Sequence, residues 1–260
     1  MSSNISFHKY QGTGNDFIMI DNRLGIFDAQ NDELIAQLCH RRFGIGADGL
    51  ILLENTEGYD FRMVYFNANG KEGSMCGNGG RCTVKFAYSL GVFADKTKFI
   101  AVDGEHLAYL KNDWIYLKMQ EVSEIETQPN YYFLDTGSPH YVAFIDKLSE
   151  YAVFQEGKAI RYNERFAEKG TNVNFIEKIG EQHLQVRTYE RGVEDETYSC
   201  GTGVTAAALV SSLQGLQSPI QIDTLGGKLE VSFQKNQSGT FEEIYLAGPA
   251  QKVFEGEVQV

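Results

Sequence analysis

The sequence predicts an α+β fold of two pseudo-symmetric domains, each a curved, mostly antiparallel sheet around a central helix. Three observations predict it. Ser74-Met75-Cys76-Gly77-Asn78-Gly79 and Tyr198-Ser199-Cys200-Gly201-Thr202-Gly203 each join a cysteine to Gly-x-Gly and then to a helical run. The stretch Gly137-Ser138-Pro139-His140-Tyr141-Val142-Ala143-Phe144-Ile145-Asp146 echoes Gly12-Thr13-Gly14-Asn15-Asp16-Phe17-Ile18-Met19-Ile20-Asp21, 125 positions on. Val186 to Arg191 echoes Phe61 to Asn67, and Tyr65 and Tyr189 each stand 11 residues before their cysteine. A repeat of about 125 residues in register over several elements reads as one supersecondary plan used twice.

Taken in order, residues 5–21 read as two strands around a Gly-Thr-Gly turn. Asn31-Asp32 caps a predicted helix over residues 33–42. Gly44-Ile45-Gly46-Ala47-Asp48-Gly49 matches G-x-G-x-x-G formally, but it follows a helix and precedes the strand-like Leu50 to Leu53. A dinucleotide fingerprint needs the opposite order, so this is a turn. Residues 60–67 alternate as a strand, and Asn69-Gly70 marks a turn before the first cysteine. In the run after Cys76, Thr83, Phe86, Ala87 and Leu90 share one helical face; Ala206, Leu209, Val210 and Leu213 do so after Cys200. Residues 97–120 carry strands with turns at Asp103-Gly104 and Asn112-Asp113. The polar segment Glu121–Asn130 is the best linker, giving domains of 1–122 and 123–260, with the final strand 250–260 assignable to either.

The 260 residues are 42% hydrophobic, enough for a real core, and the net charge of −12 argues against nucleic-acid and anionic-membrane partners. The N-terminus lacks a basic segment followed by an apolar one, and no apolar run approaches a membrane span, so a cytoplasmic protein is expected. Cys76 and Cys82 have no histidine near enough in sequence to complete a zinc set, and no metal is expected. Cys39 and Cys82 lie in helical apolar patterns and read as inert core.

Cys76 and Cys200 are different. A cysteine at a helix start sits among N–H groups with no partner inside the helix, where the aligned peptide dipoles add roughly +0.5 charge. Both favour thiolate, so a thiol pKa of about 8.5 can fall towards neutrality. The same N–H groups, approached closely past glycine, make a carboxylate cradle. Two such units, related by an approximate two-fold and meeting in an interdomain cleft, would set two thiols against opposite faces of one carbon. Inversion at that carbon needs one group to remove a proton and another to return one from the far side. Amide N–H groups aimed at an α-carboxylate would stabilise the charge that develops.

These residues together resemble the diaminopimelate epimerase family. The likeness rests on Gly12-x-Gly14-Asn15-Asp16-Phe17, Asn67, Cys76-Gly77-Asn78-Gly79-x-Arg81-Cys82, Gly137-x-Pro139-His140, Gly170-Thr171-Asn172, Tyr189-Glu190-Arg191-Gly192 and Cys200-Gly201-Thr202-Gly203. Gly248-Pro249-Ala250 with Val253-Phe254 extends it towards the C-terminus. The resemblance implies a cofactor-independent epimerisation of L,L-2,6-diaminopimelate to the meso form, with no metal and no pyridoxal phosphate. Cys76 and Cys200 would be the acid–base pair. Gly77, Asn78, Gly201 and Thr202 would hold the reacting carboxylate, and Asn15, Asn67, Asn172, Glu190 and Arg191 the distal amino-acid end. His140 and Glu190 would tune a thiol. It further implies a homodimer, a small-molecule substrate, and a place in lysine and peptidoglycan precursor synthesis.

Two positions depart from the family pattern: Ser138 stands where asparagine is usual, and Gly49 where some members have glutamine. Two thiols facing each other over an empty site would also be able to oxidise to a disulfide. Competing readings are a proline or hydroxyproline racemase-type enzyme and a non-catalytic anion binder. A ring amino acid has no distal zwitterion for Glu190 and Arg191 to meet, and no Walker-type Gly-Lys-Ser/Thr is present. A thiol–disulfide oxidoreductase would need the C-x-x-C that this chain lacks.

Overall fold

The structure, a computed structural model, describes residues 4–260. It resolves into two compact units, one built from the chain up to Leu117 together with Pro249–Val260, the other from Lys118–Gly248.

The first unit runs β1 (Asn4–Gly12), β2 (Asn15–Asp21), α1 (Asp32–Cys39), β3 (Gly49–Glu54), β4 (Phe61–Asn67), α2 (Gly77–Ser89), β5 (Lys96–Ala101), β6 (Gly104–Lys111) and β7 (Trp114–Lys118). Successive strands are neighbours. β2 joins β3 and β4 joins β5 in parallel, and the other joins are antiparallel. Each parallel join spans a helix, because parallel neighbours need a crossover. Asn31 caps α1 by accepting from Leu34 N at 3.0 Å, and Asp32 and Glu33 suit the positive end of the helix dipole.

The second unit repeats this order with β8 (Glu126–Thr127), β9 (Tyr132–Asp135), β10 (Pro139–Phe144), α3 (Val153–Arg161), β11 (Asn172–Gly180), β12 (His183–Glu190), β13 (Asp195–Thr197), α4 (Gly201–Ser212), β14 (Ile220–Thr224), β15 (Gly227–Lys235) and β16 (Phe241–Gly248). From β9 onwards, leaving aside the short β13, the joins read antiparallel, parallel, antiparallel, parallel, antiparallel, antiparallel. That is the sequence of joins in the first unit, and α3 and α4 occupy the two crossovers. The α+β repeat is therefore present in topology as well as in sequence.

Burial on both faces explains why the central strands are so apolar. Leu50 and Leu52 pack with Ile35 and Leu38 of α1, whereas Ile51 and Met63 approach the start of α2. In β11, Val173 and Phe175 pack towards α3, and Ile176 joins the cluster formed with Val204 and Leu209 of α4. Nearly every residue of α2 to Ala87 and of α4 to Ser211 is buried, as expected of a helix enclosed by its sheet.

The last strand, β17 (Gln251–Gln259), pairs antiparallel with β1 from Asn4↔Gln259 to Gln11↔Gln251 and so belongs to the first unit. Segment 121–130 lies in the second unit, where Val122 exchanges backbone hydrogen bonds with Phe241 and Glu126 takes a two-point contact from Arg165. The Gly44–Gly49 stretch is a turn with Gly46 at φ +82°, ending as β3 begins. Among the described residues no helix is long and apolar enough to cross a membrane.

Candidate active site

In the first unit Cys76 is the N-cap of α2, with extended backbone, and its Sγ accepts from Gly79 N at 3.2 Å. Asn15 opens β2 beside it: Asn15 Oδ1 lies 3.8 Å from Cys76 Sγ and 3.4 Å from Asn78 Nδ2. Charged groups fix both amides. Asp48 accepts from Asn15 Nδ2 at 2.7 Å, and Arg81, which can only donate, reaches Asn78 Oδ1 at 3.0 Å. The chain of contacts from Arg81 through Asn78 and Asn15 to Asp48 thus has one polarity, and it turns the Asn15 carbonyl oxygen to the sulfur. Asp48 is itself held by Arg41, which also pairs with Asp16. Burial works to raise the Asp16 carboxyl, but hydrogen bonds from Arg41 and Lys9 outweigh it and hold it at about 2.

Arg81 is fully buried and donates to Thr13 Oγ1, Asn78 Oδ1, Gly77 O and Pro249 O at 3.0 to 3.4 Å. Burial lowers its pKa to about 10, so it remains a cation at neutral pH. Asn67 ends β4 in an exposed position, where its Oδ1 accepts from Tyr65 at 3.0 Å. Gly49 has no room for a side chain: a Cβ there would stand 2.5 Å from the Phe66 carbonyl oxygen and from the Tyr65 ring. Tyr65 occupies the space that a longer residue would need. Burial pushes the Cys39 thiol up to about 12 and the Cys82 thiol up as well, which keeps both protonated.

In the second unit Cys200 is the N-cap of α4 and is 8% exposed. Its Sγ lies 3.5 Å from Thr202 Oγ1, and Thr202 Oγ1 lies 3.2 Å from Ser138 Oγ. Thr136 Oγ1 donates to the Thr202 carbonyl at 2.9 Å and ties the first turn of α4 to the end of β9. Gly203 brings the helix hard against β11, since a Cβ there would stand 2.3 Å from Asn174 Oδ1.

His140 is completely buried on β10, between Ser138 Oγ and Asn174 Nδ2, each 3.0 Å away. Burial first, and the positive charge of Arg191 second, lower its pKa to about 3, so the ring is neutral. Asn172 donates to Ser138 Oγ at 3.1 Å and accepts the Arg191 backbone N–H at 2.9 Å. The Arg191 side chain is exposed and donates to Lys169 O, and Glu190 accepts from Thr197 Oγ1 at 3.0 Å.

Of the residues singled out from sequence, Cys76, Gly77, Asn78 and Asn15 form one group and Cys200, Gly201, Thr202, His140 and Asn172 another. Asn67, Glu190 and Arg191 lie at strand ends. Thr13, Asp48 and Asn174 were not expected. A signal existed for Asn174, because it stands two residues after Asn172 on the same face of one strand. None existed for Asp48, whose contact with Asn15 spans a parallel join.

The model of the family described as diaminopimelate epimerase matches residues 7–114 and 132–253. A relative from Flavobacterium psychrophilum named diaminopimelate epimerase is 54% identical over 254 residues, covering 96% of this chain and 99% of its own. One of the same name from Chlorobaculum tepidum is 44% identical, covering 95% and 98%. Among solved structures, a Bacillus anthracis phenazine biosynthesis protein of the PhzF family superposes with TM-score 0.80 at 14% identity over 99% of this chain and 100% of its own. A hydroxyproline epimerase from Agrobacterium vitis does so with TM-score 0.71 at 11% identity, over 99% and 93%. At such identities these two establish the fold alone. With the family model and the curated relatives spanning nearly its whole length, this chain belongs to the diaminopimelate epimerase family.

Proposed function

We propose that this protein interconverts the L,L and meso forms of 2,6-diaminopimelate, with Cys76 and Cys200 as the proton-transferring pair. One observation carries the reading: each of two units with the same order of strand joins places a cysteine at the N-cap position of its buried central helix, and neither helix has an acidic residue in its first turn. Those first turns suit a bound carboxylate, with Gly77-Asn78 and Gly201-Thr202 offering backbone N–H groups to it.

In the proposed reaction one sulfur, as thiolate, takes the α-proton, and the C–H electron pair passes to the α-carbon and spreads onto the carboxylate. The helix N–H groups stabilise that charge. The other sulfur, as thiol, delivers its proton to the opposite face, so the product has inverted configuration and the two sulfurs have exchanged protonation states. Arg191 is suited to the distal carboxylate and Glu190 to the distal ammonium, with Asn15, Asn67 and Asn172 as amide partners. His140 and Glu190 are proposed to set the protonation of a thiol. The same reading carries a homodimer, to be checked by sedimentation, and service in lysine and peptidoglycan precursor synthesis.

The test is incubation of purified, reduced protein with L,L-diaminopimelate in deuterated water and no added cofactor. Formation of the meso isomer with deuterium at the inverted carbon is expected. No interconversion of diaminopimelate, or inversion of proline in its place, would overturn the assignment.

A further inference from the structure

We propose that Ser138 and the Thr202 hydroxyl form a one-directional hydrogen-bond relay between His140 and Cys200, which aims the Thr202 O–H at the sulfur and supports its thiolate. The inference rests on Cys200 being one of the proton-transferring groups.

Direction follows from counting donors and acceptors. Asn174 Nδ2 lies 3.0 Å from the Tyr141 carbonyl, which can only accept, and Asn174 Oδ1 receives the Thr188 hydroxyl at 2.9 Å. The Asn174 amide is therefore fixed with its NH₂ towards His140 Nδ1. A neutral imidazole that accepts at Nδ1 carries its proton on Nε2. That N–H points to Ser138 Oγ. Asn172 is fixed in turn by the Arg191 N–H on its Oδ1, and it sends Nδ2 to the same serine oxygen.

Two N–H donors fill both lone pairs of Ser138 Oγ, so its own proton must go outwards, and Thr202 Oγ1 is placed to accept it at 3.2 Å. Thr202, having accepted from Ser138, turns its proton to Cys200 Sγ at 3.5 Å. An O–H given to sulfur favours the charged form. Every link lies within the second unit, and Thr188, paired with Asn174 across β11 and β12, anchors its far end.

Charged or titratable side chains on the strands flanking the start of α4 include Asp135 at the end of β9, His140 on β10, and Glu190 and Arg191 at the end of β12, with Tyr132, Tyr141, His183, Arg187 and Tyr189 elsewhere on the same strands. Asp135 accepts from Gly137 N at 2.8 Å, Glu190 from Thr197, and Arg191 donates to Lys169 O. His140 is neutral, so the relay transmits orientation rather than a proton. Ser138 and Thr202 are in this sense positioning residues. The departure at Ser138 keeps the polarity an asparagine would have there, an acceptor for the two N–H groups and a donor outwards, but does so with a single hydroxyl.

The first measurement is ¹⁵N NMR of histidine-labelled protein without substrate. His140 is expected as the Nε2–H tautomer from pH 5 to pH 9. An Nδ1–H tautomer, or an imidazolium in that range, would overturn the relay. The second follows alkylation of Cys200 by iodoacetamide against pH, read by mass spectrometry. Thr202→Val is expected to move the midpoint upwards by about one pH unit, with roughly ten-fold slower labelling at pH 7. Ser138→Ala should move it the same way by less, and Thr202→Ser should restore it. A Thr202→Val profile that overlays the wild type would overturn the proposal. Failure of the wild type to invert diaminopimelate would instead overturn the function assigned above, leaving the tautomer unchanged.

Discussion

His140 and Arg81 are buried polar side chains whose protonation states follow from what surrounds them. His140 holds no proton in the folded protein until about pH 3, whereas an ordinary histidine takes one near 6.5. Between those values the unfolded chain binds more protons, so the stability is whole above about pH 6.5 and falls as pH drops towards 3. One such group makes the protein about 2 kcal/mol less stable at pH 5 than at neutral pH. Urea midpoints at pH 8 and pH 5 should show that drop, and His140→Gln, neutral at both, should show a smaller one. An equal drop in the variant would contradict the assignment. Arg81 satisfies Thr13, Asn78 and two carbonyls from one buried guanidinium. Arg81→Met leaves those acceptors without their donor and should lose roughly 2–4 kcal/mol by urea unfolding. A loss under about 0.5 kcal/mol would mean that the acceptors find other donors.

At the scale of elements, the two central helices each begin at a cysteine in the N-cap position but are packed differently. A Cβ on Gly203 would stand 2.3 Å from Asn174 Oδ1, whereas one on Gly79 meets Ile51, Cys76 and Met63 side-chain atoms at 3.2 to 3.4 Å. Gly203→Ala should therefore displace the amide that orients His140, with a loss of about 2–3 kcal/mol and of activity. Gly79→Ala should lie within about 1 kcal/mol of wild type, since alanine's better helix propensity offsets the tight fit. Thermal unfolding of the pair checks this, and the reverse ranking would contradict it. The difference was not legible in the sequence, where Gly77-Asn78-Gly79 and Gly201-Thr202-Gly203 look interchangeable. What was legible were local signals: the Asn31 cap, the Asn112-Asp113 turn with both residues at positive φ, and the Gly44–Gly49 turn. Helix α1 ends at Cys39 rather than at 42, because the His40 backbone is already extended. Contacts such as Asn15 with Asp48, or Arg81 with Pro249, depend on strands pairing over long separations, and no local pattern encodes them.

For the whole molecule, the repeat was visible because both halves keep the same residues at the same turns. The place of the last strand was not, since either sheet edge would have accepted it. β17 lies against β1 as the short β8 lies against β9, so each unit has an extra antiparallel neighbour on the corresponding edge. Ending the chain at Gly248 uncovers β1 along its whole length. Native-state hydrogen exchange should then speed up in β1 to β4 while β14 to β16 keep their protection. Equal acceleration in both units would show that they unfold as one body.

The proposed inversion needs two sulfurs acting on a single carbon. The direct measurement is the rate of stereoisomer interconversion, with deuterium uptake from solvent, for Cys76→Ala and Cys200→Ala beside the wild type. Each single variant is predicted to lose inversion by at least ~10³-fold, with circular dichroism unchanged. Wild-type inversion by either variant would contradict the account.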